Sequence, residues 1–206
     1  MVNGPLKVLV ASGNAKKLIE LETVLSELGV DGVELVSLAD IPAYPEPVEN
    51  GLTFAENALI KAREGVKQTG LPCVADDSGL AVAALNGMPG ILSARWCGRH
   101  GDDASNNELL LAQTSDIGDP HRGAAFVSCC ALVTPDGAEF TAEGRWEGSL
   151  LREPRGEGGF GYDPLFAPAD APGRSAAELT PEEKNTRSHR GKALRELAPR
   201  IAELAQ

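Results

Sequence analysis

Aromatic residues are scarce in this 206-residue chain: two Trp, two Tyr and five Phe make up 4% of it. Three of those nine rings, Phe160, Tyr162 and Phe166, fall within seven positions, which marks that stretch for attention. Cysteine is also sparse. Cys73, Cys97, Cys129 and Cys130 contain no C-x-x-C pair, which argues against a disulfide framework or a zinc site and for reduced thiols. The three histidines, His100, His121 and His189, include no pair at metal-ligand spacing. Apolar runs such as Leu6 to Ala11, around Lys7, are far too short to span a membrane, and residues 1–5 lack signal-peptide anatomy, so a cytoplasmic protein is expected. Positive charge is the last shortage. With 19 Lys+Arg against 30 Asp+Glu the formal net charge is −11, which argues against a general binder of nucleic-acid polymers or anionic membranes.

What is present reads as one globular α/β domain over 1–206, with no linker or repeat. Leu6 to Ala11 reads as a buried strand, Ser12-Gly13-Asn14 as the turn after it, and Leu18, Leu21, Leu25 and Leu28 as one face of a helix that stops at Gly29. A second strand is expected at Val33 to Ser37, then a loop carrying Pro42, Pro45 and Pro47. Thr53-Phe54-Ala55-Glu56 is a capping box before a helix striped by Phe54, Ala58, Ala62 and Val66. Residues 72–82 read as strand, polar turn at Asp76-Asp77-Ser78-Gly79, and strand again. Ser105-Asn106-Asn107-Glu108 reads as another capping box. Gly123 to Val133 and Glu139 to Gly144 flank Pro135-Asp136-Gly137 as a hairpin. The last helix carries Leu194, Leu197, Ile201 and Leu204 on one face, and Pro199 predicts a kink or break in it. Helical crossovers imply parallel strands, so the sheet should be mixed.

Five places carry chemistry. Ser12-Gly13-Asn14-Ala15-Lys16-Lys17 joins a strand end to a helix start, where backbone N–H groups attract phosphate, although an ordinary capped helix start looks the same. It lacks Walker A spacing. Asp76-Asp77 places two carboxylates side by side, which invites Mg²⁺, with one carboxylate entering the site and the other staying structural; a surface turn is the alternative. Of the nearby acids, Glu56 is explained by its capping role, which leaves Glu49 as the better second metal ligand. Residues 155–164 hold four glycines around Phe160 and Tyr162, suited to close backbone approach and base stacking, or to a loop with buried rings. Lys184, Arg187, His189, Arg190 and Lys192 gather five cationic groups, counting His189, in an acidic chain, as an anion site or a solvated helix end would.

Together, Ser12-Gly13-Asn14-x-x-Lys17, Thr53-Phe54-x-Glu56-Asn57-Ala58, Ala75-Asp76-Asp77-Ser78-Gly79-Leu80, Pro89-Gly90-x-x-Ser93-Ala94-Arg95, Gly158-Gly159-Phe160-Gly161-Tyr162-Asp163-Pro164 and Ser188-His189-Arg190-Gly191 resemble the noncanonical purine nucleoside triphosphate pyrophosphatase family, the inosine/xanthosine triphosphate pyrophosphatases. The resemblance implies an elongated mixed β-sheet flanked by helices, two lobes enclosing a central nucleotide cleft, and a homodimer. It implies Mg²⁺-dependent hydrolysis of dITP, ITP or XTP to monophosphate and pyrophosphate. By motif, Ser12, Gly13, Asn14, Ala15, Lys16 and Lys17 would hold the triphosphate, Asp77 would accept the proton of water and, with Glu49, bind metal, and Ser78 would touch substrate. Phe160, Gly161, Tyr162, Asp163 and Lys184 would line the nucleotide pocket, and His189 and Arg190 would read the base. A non-catalytic nucleotide-binding or sensing module and a related pyrophosphatase of modified pyrimidine or methylated nucleotides are the competing expectations.

Overall fold

A computed structural model describes residues 4–205. Strands and helices alternate as β1 (Leu6–Val10), α1 (Ala15–Glu27), β2 (Val33–Ser37), α2 (Phe54–Thr69), β3 (Cys73–Val82), α3 (Asp103–Gln113), β4 (Gly123–Val133), β5 (Glu139–Leu150), β6 (Phe166–Pro168), α4 (Pro181–Arg187) and α5 (His189–Leu204). The sheet order is β2-β1-β3-β4-β5-β6. β1 pairs in parallel with β2 and β3, and β5 pairs antiparallel with β6, so the sheet is mixed as expected. Among the described residues no helix is long and apolar enough to cross a membrane.

The chain divides into two compact units. The first takes the chain up to Asp77, then Ser128–Gly144 and everything from Arg190; the second takes Ser78–Val127 and Arg145–His189. Strands β3, β4 and β5 each contribute one stretch to both. In the first unit, the period of two along a strand distributes side chains to two cores. Val8 and Val10 pack with Leu21, Val24 and Leu25 of α1 and with Leu194, Leu197 and Ile201 of α5, while Leu9 between them packs with Ala58 and Ala62 of α2. A strand buried on both faces needs a continuous apolar run, and Val8-Leu9-Val10 supplies it. The second unit packs differently. It holds six of the nine aromatics (Trp96, Phe126, Trp146, Phe160, Tyr162 and Phe166), and the Phe126 and Trp146 rings meet Phe166 edge-on with centroids 4.7 and 5.4 Å away.

All four cysteines are free, and burial pushes the Cys73 thiol up to about 12, which makes it an inert core group. Four sequence expectations change. Residues 73–82 form one strand without a turn, because the two carboxylates find cationic and amide partners and Gly79 is forced by packing: a Cβ there would come within 2.3 Å of Ser93 Oγ and 2.4 Å of the Gly90 carbonyl oxygen. Helix α3 begins before Ser105, since the Asp102 carboxylate accepts from the Ser105 amide and takes the cap. At α2, Thr53 Oγ1 accepts from the Glu56 amide, but the Glu56 carboxylate reaches the amide of Leu52, one residue before the cap. Helix α5 runs through Pro199 unbroken. Pro199 is exposed and Arg195, whose carbonyl would lose its bond, is half-exposed, so water can take that carbonyl while Leu197, Ala198 and Ile201 stay buried.

Candidate active site

In the first unit, β1 ends in the turn that opens α1. Ser12 Oγ accepts from the Asn14 amide at 3.1 Å and Asn14 Oδ1 accepts from the Lys16 amide at 3.0 Å, so the helix start is capped by its own side chains. Gly13, Asn14, Ala15 and Lys16 are exposed, while Lys17 turns inward and its Nζ lies 2.7 Å from Asp76 Oδ1. The other oxygen of Asp76 takes Arg190 Nε at 3.0 Å, and Arg190 Nη1 is 3.2 Å from Glu20 Oε2. Burial by itself raises the Asp76 pKa, but the charges of Lys17 and Arg190 outweigh it and hold the carboxyl far below the usual range. A small cavity lined by Ser12, Lys17, Asp76, Arg190 and neighbouring apolar residues opens beside this group.

Asp77, next along β3, projects the other way. Its Oδ2 accepts from Asn57 Nδ2 at 3.1 Å, and its Oδ1 faces Lys61 Nζ at 3.6 Å. Asn57 is fully buried and its Oδ1 accepts from the Gly51 amide at 2.9 Å, which ties the proline-rich loop to the start of α2. From that loop Glu49 reaches the same Lys61 ammonium at 3.0 Å. Burial is the largest influence on Asp77 and raises its pKa; Lys61 and Asn57 oppose this, and Glu49 and Asp76 add to it. Burial makes this carboxylate a stronger proton acceptor than a free aspartate.

Among the described residues no group of three or more His, Cys, Asp and Glu is arranged to hold a metal. Glu49 and Asp77 nevertheless converge on one cation, and two carboxylates are what Mg²⁺ takes when substrate phosphates and water complete its shell. The donor set therefore fits a hard divalent ion.

The second unit holds the other group. Asp163, 2% exposed, accepts from the Phe160 amide at 2.8 Å and pairs with Lys184 of α4, whose Nζ also lies 4.5 Å from the Phe160 ring centroid. Gly159 sits at φ +76° with no room for a side chain: a Cβ would come 2.1 Å from Asp163 Oδ2. Asp103 and Asn107 of α3 bond the Gly161 amide and carbonyl at 2.7 and 2.8 Å, so the glycine loop is fixed at its backbone while Phe160 stays 57% exposed. Tyr162 is buried, its hydroxyl donates to the Ser93 carbonyl at 2.9 Å, and burial raises its phenol pKa, so it is a packing residue here. His189 is buried against Phe126, rings stacked at 5.1 Å. Ser78 is half-buried on β3.

The residues singled out from sequence thus form two groups. Ser12 to Lys17, Glu49, Asp77 and Arg190 belong to the first unit, and Ser78, Phe160 to Asp163, Lys184 and His189 to the second. Arg190 holds Asp76, a role the sequence did not suggest for it. Asn57 and Lys61 were missed as site residues; their spacing of four puts them on one face of α2, and the only sequence signal is for Asn57, a polar residue next to Ala58 in the apolar stripe of that helix.

Residues 8–200 match the model of the Ham1 family. A dITP/XTP pyrophosphatase of Corynebacterium efficiens is 65% identical over 205 residues, covering 97% of this chain and 99% of the relative. A solved structure described as a nucleoside-triphosphatase / dITP/XTP pyrophosphatase from Mycobacterium abscessus is 67% identical with a TM-score of 0.81, covering 95% of this chain and 100% of its own. The structure of a HAM1 protein from Coxiella burnetii is 42% identical with a TM-score of 0.87, covering 96% of this chain and 99% of its own. With the fold, the acidic pair on β3 and a match over nearly its whole length, this chain belongs to the Ham1 family.

Proposed function

We propose that the protein hydrolyses purine nucleoside triphosphates carrying deaminated bases, dITP, ITP, XTP and dXTP, to the monophosphate and pyrophosphate, and so clears them from the nucleotide pool. Relatives named dITP/XTP pyrophosphatase at 65% and 66% identity support the substrate class. The observation that carries the chemistry is the convergence of Asp77 and Glu49 on a single cation, Lys61, in the compact unit that also carries the lysine-bearing start of α1. Mg²⁺ bound by these two carboxylates supplies charge neutralisation for the phosphates.

The chain's own groups do the rest. Asp77 accepts a proton from water as its oxygen forms a bond to the α-phosphorus; the bond from that phosphorus to the bridging oxygen breaks, pyrophosphate takes the electron pair, and Asp77 later returns the proton to solvent. The Lys16 and Lys17 side chains and the amides of Gly13 and Ala15 bind phosphate oxygens, while the amides of Ser12, Asn14, Lys16 and Lys17 hold the turn itself. Ser78 touches the substrate. Phe160 offers its exposed ring to the base, and Gly161, Tyr162, Asp163 and Lys184 shape that pocket, with Asp163 and Lys184 holding the loop. A 6-oxo purine presents an acceptor where adenine presents an amino donor, so a donor there, from His189 or a backbone N–H, loses about 1–3 kcal/mol with adenine. Arg190 is proposed to act through Asp76, since its Nε and Nη1 lie on Asp76 and Glu20.

The chain acts as one catalytic domain over 1–206, a cytoplasmic homodimer that works on free nucleotides and binds no nucleic-acid polymer. Reduced cysteines and the net charge of −11 support the compartment and the exclusion of polymers. The test is pyrophosphate release with Mg²⁺ and a panel of ITP, dITP, XTP, GTP and ATP. Strong preference for the deaminated bases is expected, and equal rates on ATP and ITP would overturn it.

A further inference from the structure

Lys61 is the one cation within ion-pair distance of both Glu49 and Asp77 among the described contacts, at 3.0 Å and 3.6 Å. It is held there from several directions. Its side chain is 18% exposed, that of Asp77 13% and that of Glu49 32%, so the three charges meet in a partly desolvated place where attraction is stronger than in water. Asn57 takes Asp77 Oδ2 and leaves Oδ1 turned to Lys61. The Gly51 amide, anchored on Asn57 Oδ1, fixes the loop that brings Glu49 in. A lysine stem has four rotatable carbons, so its ammonium can move several ångströms while α2 stays in place. An ammonium and a divalent ion cannot share these carboxylate oxygens.

We propose that Lys61 is the built-in counter-ion of the metal site: its ammonium neutralises the Glu49–Asp77 pair when neither metal nor nucleotide is bound, and turns to the nucleotide's phosphates when the metal takes those oxygens. This rests on the proposal that Glu49 and Asp77 hold the metal. The tethered ammonium competes with free metal at a high effective concentration, so the nucleotide-free protein binds divalent ions weakly. Triphosphate offers Lys61 another partner, which removes the competitor. Metal and nucleotide therefore strengthen each other's binding, by the same factor in both directions.

The experiment uses the full chain without nucleotide and Mn²⁺ alone as the probe, followed by electron paramagnetic resonance of the free ion. Lys61→Met is expected to bind Mn²⁺ at least tenfold more tightly than the wild type, and Lys61→Arg, which keeps the charge, to stay within about twofold of it. Lys61→Gln, checked with the others for an unchanged circular dichroism spectrum, repeats the measurement should the methionine variant fold poorly. A non-hydrolysable triphosphate analogue should raise Mn²⁺ affinity more in the wild type than in Lys61→Met. A lysine that merely braces the loop predicts the opposite, weaker Mn²⁺ binding in Lys61→Met; that result, or equal affinity, overturns the proposal. Adding Glu49→Gln to Lys61→Met should abolish the gain. If the gain survives Glu49→Gln, and also Asp77→Asn, the assignment of the metal ligands fails; if these substitutions weaken Mn²⁺ binding while Lys61→Met does not tighten it, the counter-ion role alone fails. Absence of measurable Mn²⁺ binding in every variant overturns both.

Discussion

Asp76 and Asp77 are neighbours on one strand with the same side chain, yet the two sides of that strand treat them in opposite ways. On the Asp76 side two full charges, Lys17 and Arg190, each take one oxygen at 2.7 and 3.0 Å, and the carboxylate is locked in its ionised form. On the Asp77 side a neutral amide takes one oxygen, the ammonium stands off at 3.6 Å, and burial raises the pKa. A group that must gain and lose a proton needs the second environment; a group that must hold cations in place needs the first. The pleat of a β-strand, which sends successive side chains to opposite faces, is enough to separate the two roles.

The largest effect expected from breaking this contrast is at Asp77. Asp77→Asn should lower kcat by roughly 10³-fold or more, in the range general-base groups contribute, with the melting temperature nearly unchanged, because the substitution also removes a charge that burial disfavours. Near-wild-type turnover of ITP would remove Asp77 from the chemistry. Asp76→Asn should reverse the pattern of losses, costing about 3 kcal/mol of stability in urea denaturation at pH 7, since it strands Lys17 and Arg190 beside a neutral partner. A variant as stable as the wild type would show that Asp76 is no clamp.

A smaller effect is expected at Asn57, the amide that holds Asp77. Asn57→Ala should cost about 2 kcal/mol by leaving the Gly51 amide without its acceptor, and should lower kcat by roughly tenfold because Asp77 loses the group that orients it. Unchanged kcat with reduced stability would confine Asn57 to the fold.

The pH dependence sharpens the contrast most finely. The folded-state pKa of Asp76 is depressed, so its contribution is present in full above the ordinary value of 3.8 and is lost as pH falls from there towards the folded value. The stability gap between wild type and Asp76→Asn should therefore be flat from pH 7 to about 5 and narrow below about 4. Asp77, with a raised folded-state pKa, has the opposite sign: its stabilising contribution is present below 3.8 and is lost as pH rises through the raised value. The gap between wild type and Asp77→Asn should shift in the other direction over the acid range, measured by the same denaturation series.

The parts of the molecule legible in sequence are those decided locally. Val33–Ser37 and Gly123–Val133 lie where their apolar runs and turn residues put them, and Gly29 stops the first helix turn sequence at φ +65°. The strand through Asp76-Asp77-Ser78-Gly79 was misread as a turn because its stabilisation is distant: Lys17 is 59 residues away and Arg190 is 114 away. The site shows the same division. Motifs carried the residues that present backbone or carboxylate chemistry, whereas Lys61 had no signal of its own, because a lysine on a helix surface looks alike whether it faces water or two carboxylates.

The turn at residues 12–17 has one more consequence. Its amides at Asn14 and Lys16 are bonded to Ser12 Oγ and Asn14 Oδ1, so the segment is ordered by its own side chains and has little conformational freedom left to lose to an anion. A triphosphate bound there, as proposed, would meet an already ordered turn and forfeit chiefly its own mobility. Amide hydrogen exchange at Asn14 and Lys16 should then be slowed in the ligand-free protein and change little on binding, a signature of pre-organisation at one end of the substrate.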